Sequence, residues 1–353
     1  MRAVVSADSP GVEDVRLADL PDPAPGRGEV LIRVRFCGVN YPDVLLLQDK
    51  YQVRPPRPFS PGGEVGGEVA ATGDGVTGFA AGDRVMARMG FGGMAELVAV
   101  PEDRVHKIPD GMPLDDAAAI QTTYLTAYHA LVQRASIRGG DKLLVLGAAG
   151  GVGLAAVQLG KALGATVIAA ASSEEKAAAA RAAGADIAFR YPGAPAGDGE
   201  RREMSALFKD MCPAGAADVV FDGVGGDYTE AALRAMAPDG RLLIVGFPAG
   251  IPRIPANLVL LKRCQIVGVL YGGFAAEKSR GRPRQLRRSP PPLPGRRHRS
   301  ADIRPIRRRP GADRHRPAET PPRHRQGRGG LLDRGGTVRA SLSGRACRGR
   351  RTG

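Results

Sequence analysis

The segment KLLVLGAAGGVGLAAVQLGKALGA at 142–165 constrains the fold of this chain most strongly. An apolar run typical of a buried strand leads into four closely spaced glycines, and an Ala-rich helical pattern follows. Glycine lets the backbone turn tightly and approach a pyrophosphate, whose charge lies on the free amides at the start of the helix. A tight turn without a ligand is the alternative interpretation. The residues expected at the pyrophosphate are Gly147, Gly150, Gly151, Val152 and Gly153.

Strand-like and helix-like segments alternate after this loop, which predicts a parallel, doubly wound sheet. Before it, residues 1–115 contain short alternating strands punctuated by Gly and Pro, and a helical pattern runs from Asp116 through Arg134. We therefore predict an α/β protein with a β-rich domain at 1–115 and a dinucleotide-binding domain at 116–278. The expected strand cores of the second domain are 143–147, 166–171, 187–191, 218–222, 241–247 and 265–271.

The end of the second of these strands distinguishes between two cofactors. An NAD site usually places Asp or Glu there to hold the ribose hydroxyls, and that charge repels a 2′-phosphate. Here the chain reads AAASSEEK, so that Ser172, Ser173 and Lys176 could donate to a 2′-phosphate, with Arg190 and Tyr191 following in the next strand. This pattern favours NADPH, although two glutamates follow the serines. The alternative is that one of the serines only caps the next helix.

The net charge of +15 is unevenly distributed along the chain. Residues 279–353 contain 23 Arg and four acidic residues, whereas residues 1–278 carry a balance of −4. The Arg- and Pro-rich segment is predicted to be a disordered C-terminal tail, either a natural basic arm that binds phosphate or an out-of-frame translation of a GC-rich gene. A one-base shift of synonymous codons for 284–299 can restore an amphipathic helix. We favour the frameshift, so nucleic-acid binding is not expected.

The cysteines and the apolar runs indicate the cellular compartment. Four cysteines lie far apart without a CxxC pair, so neither a disulfide framework nor a thiolate zinc site is indicated. The N-terminal segment lacks the apolar core of a signal peptide, and no 18 apolar residues are contiguous. These features predict a cytoplasmic protein without membrane insertion.

With these motifs in hand, residues 1 to about 278 resemble the zinc-free medium-chain reductases, and most closely the bacterial NADPH:quinone oxidoreductases related to zeta-crystallin. The resemblance implies a GroES-like catalytic domain joined to a Rossmann domain, and a homodimer formed through Cys264–Tyr271. The resemblance rests on these segments of the sequence: the glycine loop, CGVNYPD, PGGEVGGEV, YLTAYHAL at 124–131, FDGVGGD at 221–227 and GRLLIVGFPAGIPRIPANLVLLK at 240–262.

The resemblance also implies roles for individual residues. Asn40 and Thr126 match positions that approach the nicotinamide, and Gly246 and Phe247 match the strand end that faces the cofactor. Tyr51 matches a tyrosine that donates a proton in the related 2-enoyl thioester reductases, although the favoured role is that of a half-buried packing residue. Asp43 and Glu64 lie in the matching strings, where structural hydrogen bonding is the favoured role. A tyrosine of some quinone reductases is Leu45 here, which leaves that contact in doubt.

The chain departs from the zinc-dependent relatives at their metal site. Asn40 and Gly63 stand where those enzymes have Cys and His, which hold a zinc ion that polarises the substrate carbonyl. Only His106 and His129 precede the basic tail, and each is expected to be a packed or surface histidine. No metal site is therefore predicted.

These observations predict a zinc-independent oxidoreductase that transfers hydride from NADPH to a quinone or related electron-poor carbonyl acceptor. Such a reaction needs alignment of donor and acceptor more than a protein acid. One alternative is an NADPH-dependent reductase of enones or 2-enoyl thioesters, in which Tyr51 supplies the proton. A second alternative is a non-enzymatic protein that binds NADPH or RNA.

Overall fold

The computed structural model describes residues 1–195 and 197–279. The arginine-rich segment predicted to be disordered at 279–353 therefore lies outside the described residues, apart from Ser279. No helix within the described ranges is both long enough and apolar enough to cross a bilayer.

The β-rich domain predicted from the short alternating strands contains a five-stranded antiparallel sheet with strand order β6-β3-β4-β5-β7. Val30 and Ile32 on β3, and Val65 on β4, are buried because alternate side chains of each strand face one apolar core. A separate two-stranded hairpin precedes the sheet. The elements of this lobe are β1 Arg2–Ser6, β2 Val15–Asp19, β3 Glu29–Gly38, α1 Tyr41–Leu47, β4 Glu64–Thr72, β5 Arg84–Arg88, β6 Leu97–Pro101 and β7 Val105–Lys107.

The parallel, doubly wound sheet predicted for the second lobe is confirmed. Its six strands have the order β10-β9-β8-β11-β12-β13, and every neighbouring pair is parallel. The strands are β8 Lys142–Leu146, β9 Thr166–Ala171, β10 Ile187–Arg190, β11 Ala217–Asp222, β12 Met236–Ile244 and β13 Gln265–Gly268. The helices are α2 Leu114–Tyr128, which continues as a π-helical segment His129–Arg134, then α3 Gly151–Ala162, α4 Glu174–Ala182, α5 Asp198–Met211, α6 Asp227–Arg234, α7 Ala256–Lys262 and α8 Tyr271–Ser279.

Both faces of this sheet are covered. Leu143 and Val145 of β8 belong to the core formed with α2 and α3, whereas Leu144 and Leu146 belong to the core formed with α5 and α6. A strand buried on both faces is apolar at successive positions rather than at alternate ones. This explains the uninterrupted run LLVL in front of the glycine loop.

The strand predicted at 265–271 is shorter in the structure. β13 ends at Gly268, and Tyr271 begins α8 instead of extending the strand. The Tyr271 ring lies 6.0 Å from the His129 ring, and the Arg88 guanidinium lies 5.1 Å from the Tyr271 centroid. Val269 is buried and Tyr271 packs against other elements. Sequence periodicity does not distinguish such packing from continuation of the strand. The strand predicted at 241–247 likewise ends earlier, at Ile244, and it begins earlier, at Met236.

Helix α2 packs against both sheets. On the first sheet, a Cβ atom at Gly38 would lie 2.4 Å from the Ala118 carbonyl oxygen, and one at Gly66 would lie 2.3 Å from the Leu114 carbonyl oxygen. On the other side, the Tyr124 hydroxyl donates a hydrogen bond to Gln158 of α3. Glycines on β3 and β4 thus let α2 approach the first sheet at backbone distance while it also contacts the second lobe.

Candidate dinucleotide and substrate site

The carboxyl ends of β8 and β11 mark the point at which the strand order of the second sheet reverses. From β8 the chain proceeds to β9 and β10 on one side, and from β11 it proceeds to β12 and β13 on the other. In open parallel sheets the loops diverge at such a point and leave a crevice in which ligands bind. The glycine loop follows β8, so it lies at this crevice.

Two glycines of the loop are required by the packing of the protein itself. Gly147 has a φ of +66°, a left-handed conformation that strains other residues. A Cβ atom on Gly153 would lie 2.2 Å from the Gly147 carbonyl oxygen, and one on Gly147 would lie 2.9 Å from Cγ2 of Val224. These contacts fix the turn from β8 into α3 and hold it against the loop that follows β11.

The next glycines are exposed and leave open space at the start of α3. Gly150 is the N-cap residue and adopts an ordinary extended conformation, and a Cβ atom there would make only a 3.4 Å contact with the Gly147 carbonyl oxygen. A Cβ atom on Gly151 would lie 3.0 Å from Cγ2 of Thr123, and Val152 is half-buried. Gly150 therefore leaves room at the start of α3, with the Thr123 side chain beside Gly151, and the free amides of the first helical turn make this cradle suitable for a pyrophosphate.

A buried carboxylate organises the neighbouring loop after β11. Asp222 accepts hydrogen bonds from the amides of Val224 at 2.9 Å and Gly225 at 2.8 Å, and from the hydroxyl of Thr229. Its side chain is 1% exposed, and burial raises the pKa of its carboxyl group above the ordinary value. Asp222 thereby holds Val224 in its place beside the glycine loop.

Gly246 and Phe247 lie just beyond the end of β12, on the same side of the sheet. A Cβ atom on Gly225 would lie 3.3 Å from the Gly246 carbonyl oxygen and 3.1 Å from Cα of Phe247. Phe247 is 44% exposed, an unusual position for a phenylalanine in a packed domain. The structure therefore brings together the loops after β8, β11 and β12.

The residues predicted to distinguish the two cofactors lie at the carboxyl end of β9. Ser173 caps α4 by accepting a hydrogen bond from the Lys176 amide at 3.2 Å, as the alternative interpretation anticipated. Lys176 Nζ donates to Ser172 Oγ at 3.0 Å, so the ammonium and hydroxyl groups are adjacent and lie at the surface. Glu174 pairs with Arg181 at 2.9 Å instead of with Lys176. Among the described residues Lys176 forms no ion pair, so this edge presents a hydroxyl group and an ammonium group that is not paired with Glu174.

The end of the next strand and the residue after it contribute one exposed and one buried side chain. Arg190, the last residue of β10, is exposed and lies in register with Ala171 of β9. Tyr191 is only 6% exposed, and its ring packs 5.0 Å from Tyr228 and 6.3 Å from Phe208. Burial raises the pKa of Tyr191 to about 12. Tyr191 is part of the core beneath the site, and Arg190 is the residue of this pair that solvent reaches.

In the first lobe, Asn40 is held by two buried carboxylates. The Asp43 carboxylate accepts hydrogen bonds from the backbone amides of Asn40 at 2.7 Å and Gly62 at 3.1 Å. Glu64 accepts from Asn40 Nδ2 at 2.8 Å and from the Thr122 amide of α2 at 2.8 Å. Burial raises the pKa of both carboxyl groups. Asp43 and Glu64 thus have the structural hydrogen bonds favoured for them from sequence.

Thr126, which resemblance placed near the nicotinamide, and Tyr51, which it matched to a proton donor, differ in their surroundings. Thr126 lies on α2, one helical turn beyond Thr122, and is half-buried. Tyr51 is also half-buried, and its side chain packs against the small apolar cluster of Leu46, Leu47 and Phe59. The structure therefore connects Thr126 to Asn40 through α2 and Glu64, and it surrounds Tyr51 with packing contacts.

The comparisons with known proteins agree with this geometry. Residues 26–110 match the family model described as the alcohol dehydrogenase GroES-like domain, and residues 151–282 match the one described as zinc-binding dehydrogenase. The chain is 40% identical over 248 residues to quinone oxidoreductase-like protein 2 of Bos taurus, and the match covers 70% of this chain and 69% of that protein. The chain belongs to the quinone oxidoreductase family of medium-chain dehydrogenases/reductases.

Two similar solved structures are complexes with NADPH. The quinone oxidoreductase of Thermus thermophilus, described alone and in complex with NADPH, is 35% identical, with a TM-score of 0.66 over 79% of this chain and 83% of that one. A mycobacterial protein complexed with NADPH is 31% identical, with a TM-score of 0.71 over 78% of this chain and 84% of that one. Membership of the family makes the protein an oxidoreductase whose fold is suited to a nicotinamide dinucleotide.

One of the matching family models is named for zinc binding. Within residues 1–195 and 197–279, no group of three or more His, Cys, Asp or Glu side chains is placed to hold a metal ion. Cys37, which precedes the Asn40 position, is fully buried in β3, and burial raises the pKa of its thiol group strongly. His129 is buried and stacked on Phe274 at 4.3 Å, as expected for a packed histidine.

Several residues of the site were not singled out as such from the sequence. Thr122 and Thr123 contact the other functional elements from α2, and Asp222 organises the loop after β11. The glycines of PGGEVGGEV could have been recognised from the sequence, because paired glycines within a strand indicate that another backbone approaches closely. The element that approaches them is α2, which sequence alone did not reveal.

Proposed function

We propose that this protein is an NADPH-dependent oxidoreductase that transfers hydride to a quinone or a related electron-poor carbonyl acceptor without a metal ion. The observation that carries the proposal is the open cradle at Gly150 and Gly151, at the start of α3 and at the point where the strand order reverses. A pyrophosphate bound there receives hydrogen bonds from free backbone amides and favourable interaction with the helix dipole.

The charge at the end of β9 supports NADPH as the cofactor. A carboxylate that would hold the ribose hydroxyls of NADH is replaced by Ser172, and Lys176 Nζ lies 3.0 Å from its hydroxyl oxygen. An ammonium group and a hydroxyl group both donate hydrogen bonds, and a 2′-phosphate is an acceptor with negative charge. Arg190, exposed on the adjacent strand, adds a second cation near this edge.

The first lobe supports a reaction without a metal ion. The Asn40 side chain donates to Glu64, and Gly63 has no side chain with which to bind a metal. The Cys37 side chain belongs to the apolar core of the first sheet, where burial raises the pKa of its thiol and favours the neutral form, which is a poor metal ligand. The side chains at these positions are suited to orienting an acceptor rather than to polarising it through a cation.

The acceptor class follows from the packing of Tyr51, the residue that would supply the proton to an enone or 2-enoyl thioester. NADPH supplies a hydride, and a quinone accepts it directly, after which the oxygen anion takes a proton from water. Asn40 and Thr126 position the reacting rings, since a near-attack arrangement supplies most of what such a transfer requires. Tyr51 packs in an apolar cluster, so we assign no proton transfer to it.

The glycine cradle provides the test. Titration of the full chain with NADPH should give saturable quenching or enhancement of nicotinamide fluorescence, and a 1,4-benzoquinone should support NADPH oxidation. We expect Gly150→Ala to weaken NADPH binding by about tenfold or more, because the added methyl group stands in front of the helix amides. The melting temperature should change by less than about 3 °C, since that methyl meets only an ordinary 3.4 Å contact in the protein.

The matched control is Gly139→Ala, whose Cβ atom would lie 3.8 Å from the Leu163 carbonyl oxygen in the turn before β8. This variant should bind NADPH like the unmodified chain. Equal NADPH affinity in the Gly150→Ala variant would remove the cradle from the cofactor site. A chain that binds neither NADPH nor NADH, or that oxidises neither in the presence of a quinone, would contradict the proposed function.

A further inference from the structure

Glu64 is a buried carboxylate whose two oxygen atoms accept hydrogen bonds from residues of different lobes. Its side chain is 1% exposed, and it lies on β4 directly opposite Gly38 of β3. Oε1 accepts a hydrogen bond from Asn40 Nδ2, and Oε2 accepts one from the Thr122 amide, each at 2.8 Å. A charge buried to this extent costs free energy unless every contact compensates for it, so its retention points to a specific task.

The bond to Thr122 is unusual because this residue lies inside α2 rather than at its end. Interior amides of an α-helix normally donate to the carbonyl group four residues earlier, which here belongs to Ala118. That carbonyl oxygen would lie 2.4 Å from a Cβ atom on Gly38, so the helix is seated against the strand at this point. Glu64 therefore binds α2 at a place where the helix is packed closely against the first sheet, one turn before Thr126.

The bond to Asn40 determines which way its amide group is turned. An ionised carboxylate has only acceptors, so Asn40 must direct its NH₂ group towards Glu64. The Oδ1 atom of Asn40 then faces the Asp43 backbone amide, with which it forms one half of a capping box at the start of α1. The backbone amide of Asn40 donates to the Asp43 carboxylate at 2.7 Å, which is the other half of the capping box and holds the residue in place.

We propose that Glu64 is a positioning residue that orients the Asn40 amide and fixes it relative to α2 and Thr126. This inference rests on the proposed function, because Asn40 is taken there to contact the reacting rings. The task requires a carboxylate, since glutamine has only one acceptor oxygen on its amide. In Glu64→Gln, the oxygen keeps the Thr122 bond and the NH₂ group faces Asn40, whose amide must then turn to present Oδ1 to it.

Glu64→Gln is therefore a variant that keeps the contact with α2 while it reverses the Asn40 amide. In the full chain, we expect NADPH affinity to remain within about twofold, because the pyrophosphate cradle belongs to the other lobe. The value of kcat/KM for a quinone should fall by about tenfold or more. Glu68→Gln is the matched control, because Glu68 lies on the same strand but is paired with Arg35 near the surface at 3.0 Å.

The double variant separates positioning from a general structural effect. If Glu64 acts through Asn40, the variant Asn40→Ala should be impaired by itself, and adding Glu64→Gln should change its kcat/KM by less than about twofold. If the two effects multiply, or if Glu64→Gln keeps the activity of the unmodified chain, the proposal is overturned. A loss that Glu68→Gln shares would also overturn it.

A measurement without turnover distinguishes failure of this inference from failure of the proposed function. In the ¹⁵N-labelled full chain, the side-chain NH₂ resonances that disappear in Asn40→Ala belong to Asn40. We expect one of these protons to exchange slowly with water in the unmodified chain, because Glu64 accepts it, and to remain slow in Glu68→Gln. Fast exchange in the unmodified chain, or the same exchange in Glu64→Gln, would refute the orientation even if quinone reduction is observed.

Discussion

Asp222 illustrates how one buried side chain shapes the site at the scale of a residue. It accepts three hydrogen bonds within the segment that follows β11. These bonds favour the ionised carboxylate, but burial outweighs them and raises the pKa above the ordinary value of 3.8. The neutral form is thus favoured more in the folded chain than in the unfolded chain. The contribution of Asp222 to stability is therefore greatest below pH 3.8 and declines as pH rises through the raised folded-state pKa.

We expect this decline to appear when the unmodified chain is compared with Asp222→Asn, which does not titrate. As pH rises above 3.8, the unfolding free energy of the unmodified chain should fall relative to that of Asp222→Asn. The slope should not exceed about 1.4 kcal/mol per pH unit, and it should vanish above the folded-state pKa. Urea unfolding at a series of pH values measures it. The matched control is Asp227→Asn at the start of α6. The assignment would be contradicted if the unmodified chain gained stability relative to Asp222→Asn as pH rises.

At the scale of an element, α2 connects the two halves of the site. Its carbonyl groups approach Gly38 and Gly66 of the first sheet, and its Thr123 side chain lies against Gly151 of the cofactor loop. Its hydrophobic pattern alone predicts a buried helix but gives no partner for it. The close backbone contact explains why the strands that face α2 contain glycine where a β-branched residue would otherwise favour the strand.

The seat of α2 on the first sheet can be tested by adding single methyl groups. Gly66→Ala should lower the unfolding free energy by about 1–3 kcal/mol, because its Cβ atom would lie 2.3 Å from the Leu114 carbonyl oxygen and one element must move. Gly63→Ala is the control just before the same strand, with only a 3.5 Å contact to the Met89 carbonyl oxygen. It should change stability by less than about 0.5 kcal/mol. Equal effects in chemical denaturation would show that α2 can shift without cost.

At the scale of the whole molecule, β13 is one of the two edge strands of the second sheet and is flanked by exposed apolar side chains. An edge strand with such neighbours is a template for pairing with another chain. The homodimer expected through Cys264–Tyr271 remains a proposal, and the structure limits its strand portion to Gln265–Gly268. The exposed side chains of this region are Leu260 at 78%, Leu261 at 71%, Leu270 at 56% and Ile266 at 40%.

We expect the full chain to sediment as a dimer and Ile266→Glu to sediment as a monomer with an unchanged circular dichroism spectrum. A charge at an edge strand opposes pairing, and Ile266 is exposed enough to be replaced without disturbing the core. Ile251→Glu is the control, because Ile251 is 83% exposed but lies in the loop between β12 and α7. A monomeric unmodified chain, or a dimer that survives Ile266→Glu, would contradict this mode of association.

The sequence by itself determined the class of fold, the order of the strands in the chain and the glycine loop. TVIAAA at 166–171 coincides with β9, because a strand buried on both faces and bounded by turn residues has a strong local pattern. Only the tertiary structure decided that Tyr271 begins a helix, that Tyr191 is a core residue and that Glu64 joins Asn40 to Thr122. Local patterns arise from the period and burial of one element. Contacts between residues 24 and 58 positions apart, as Glu64 makes, depend on how separate elements pack, and no local pattern records them.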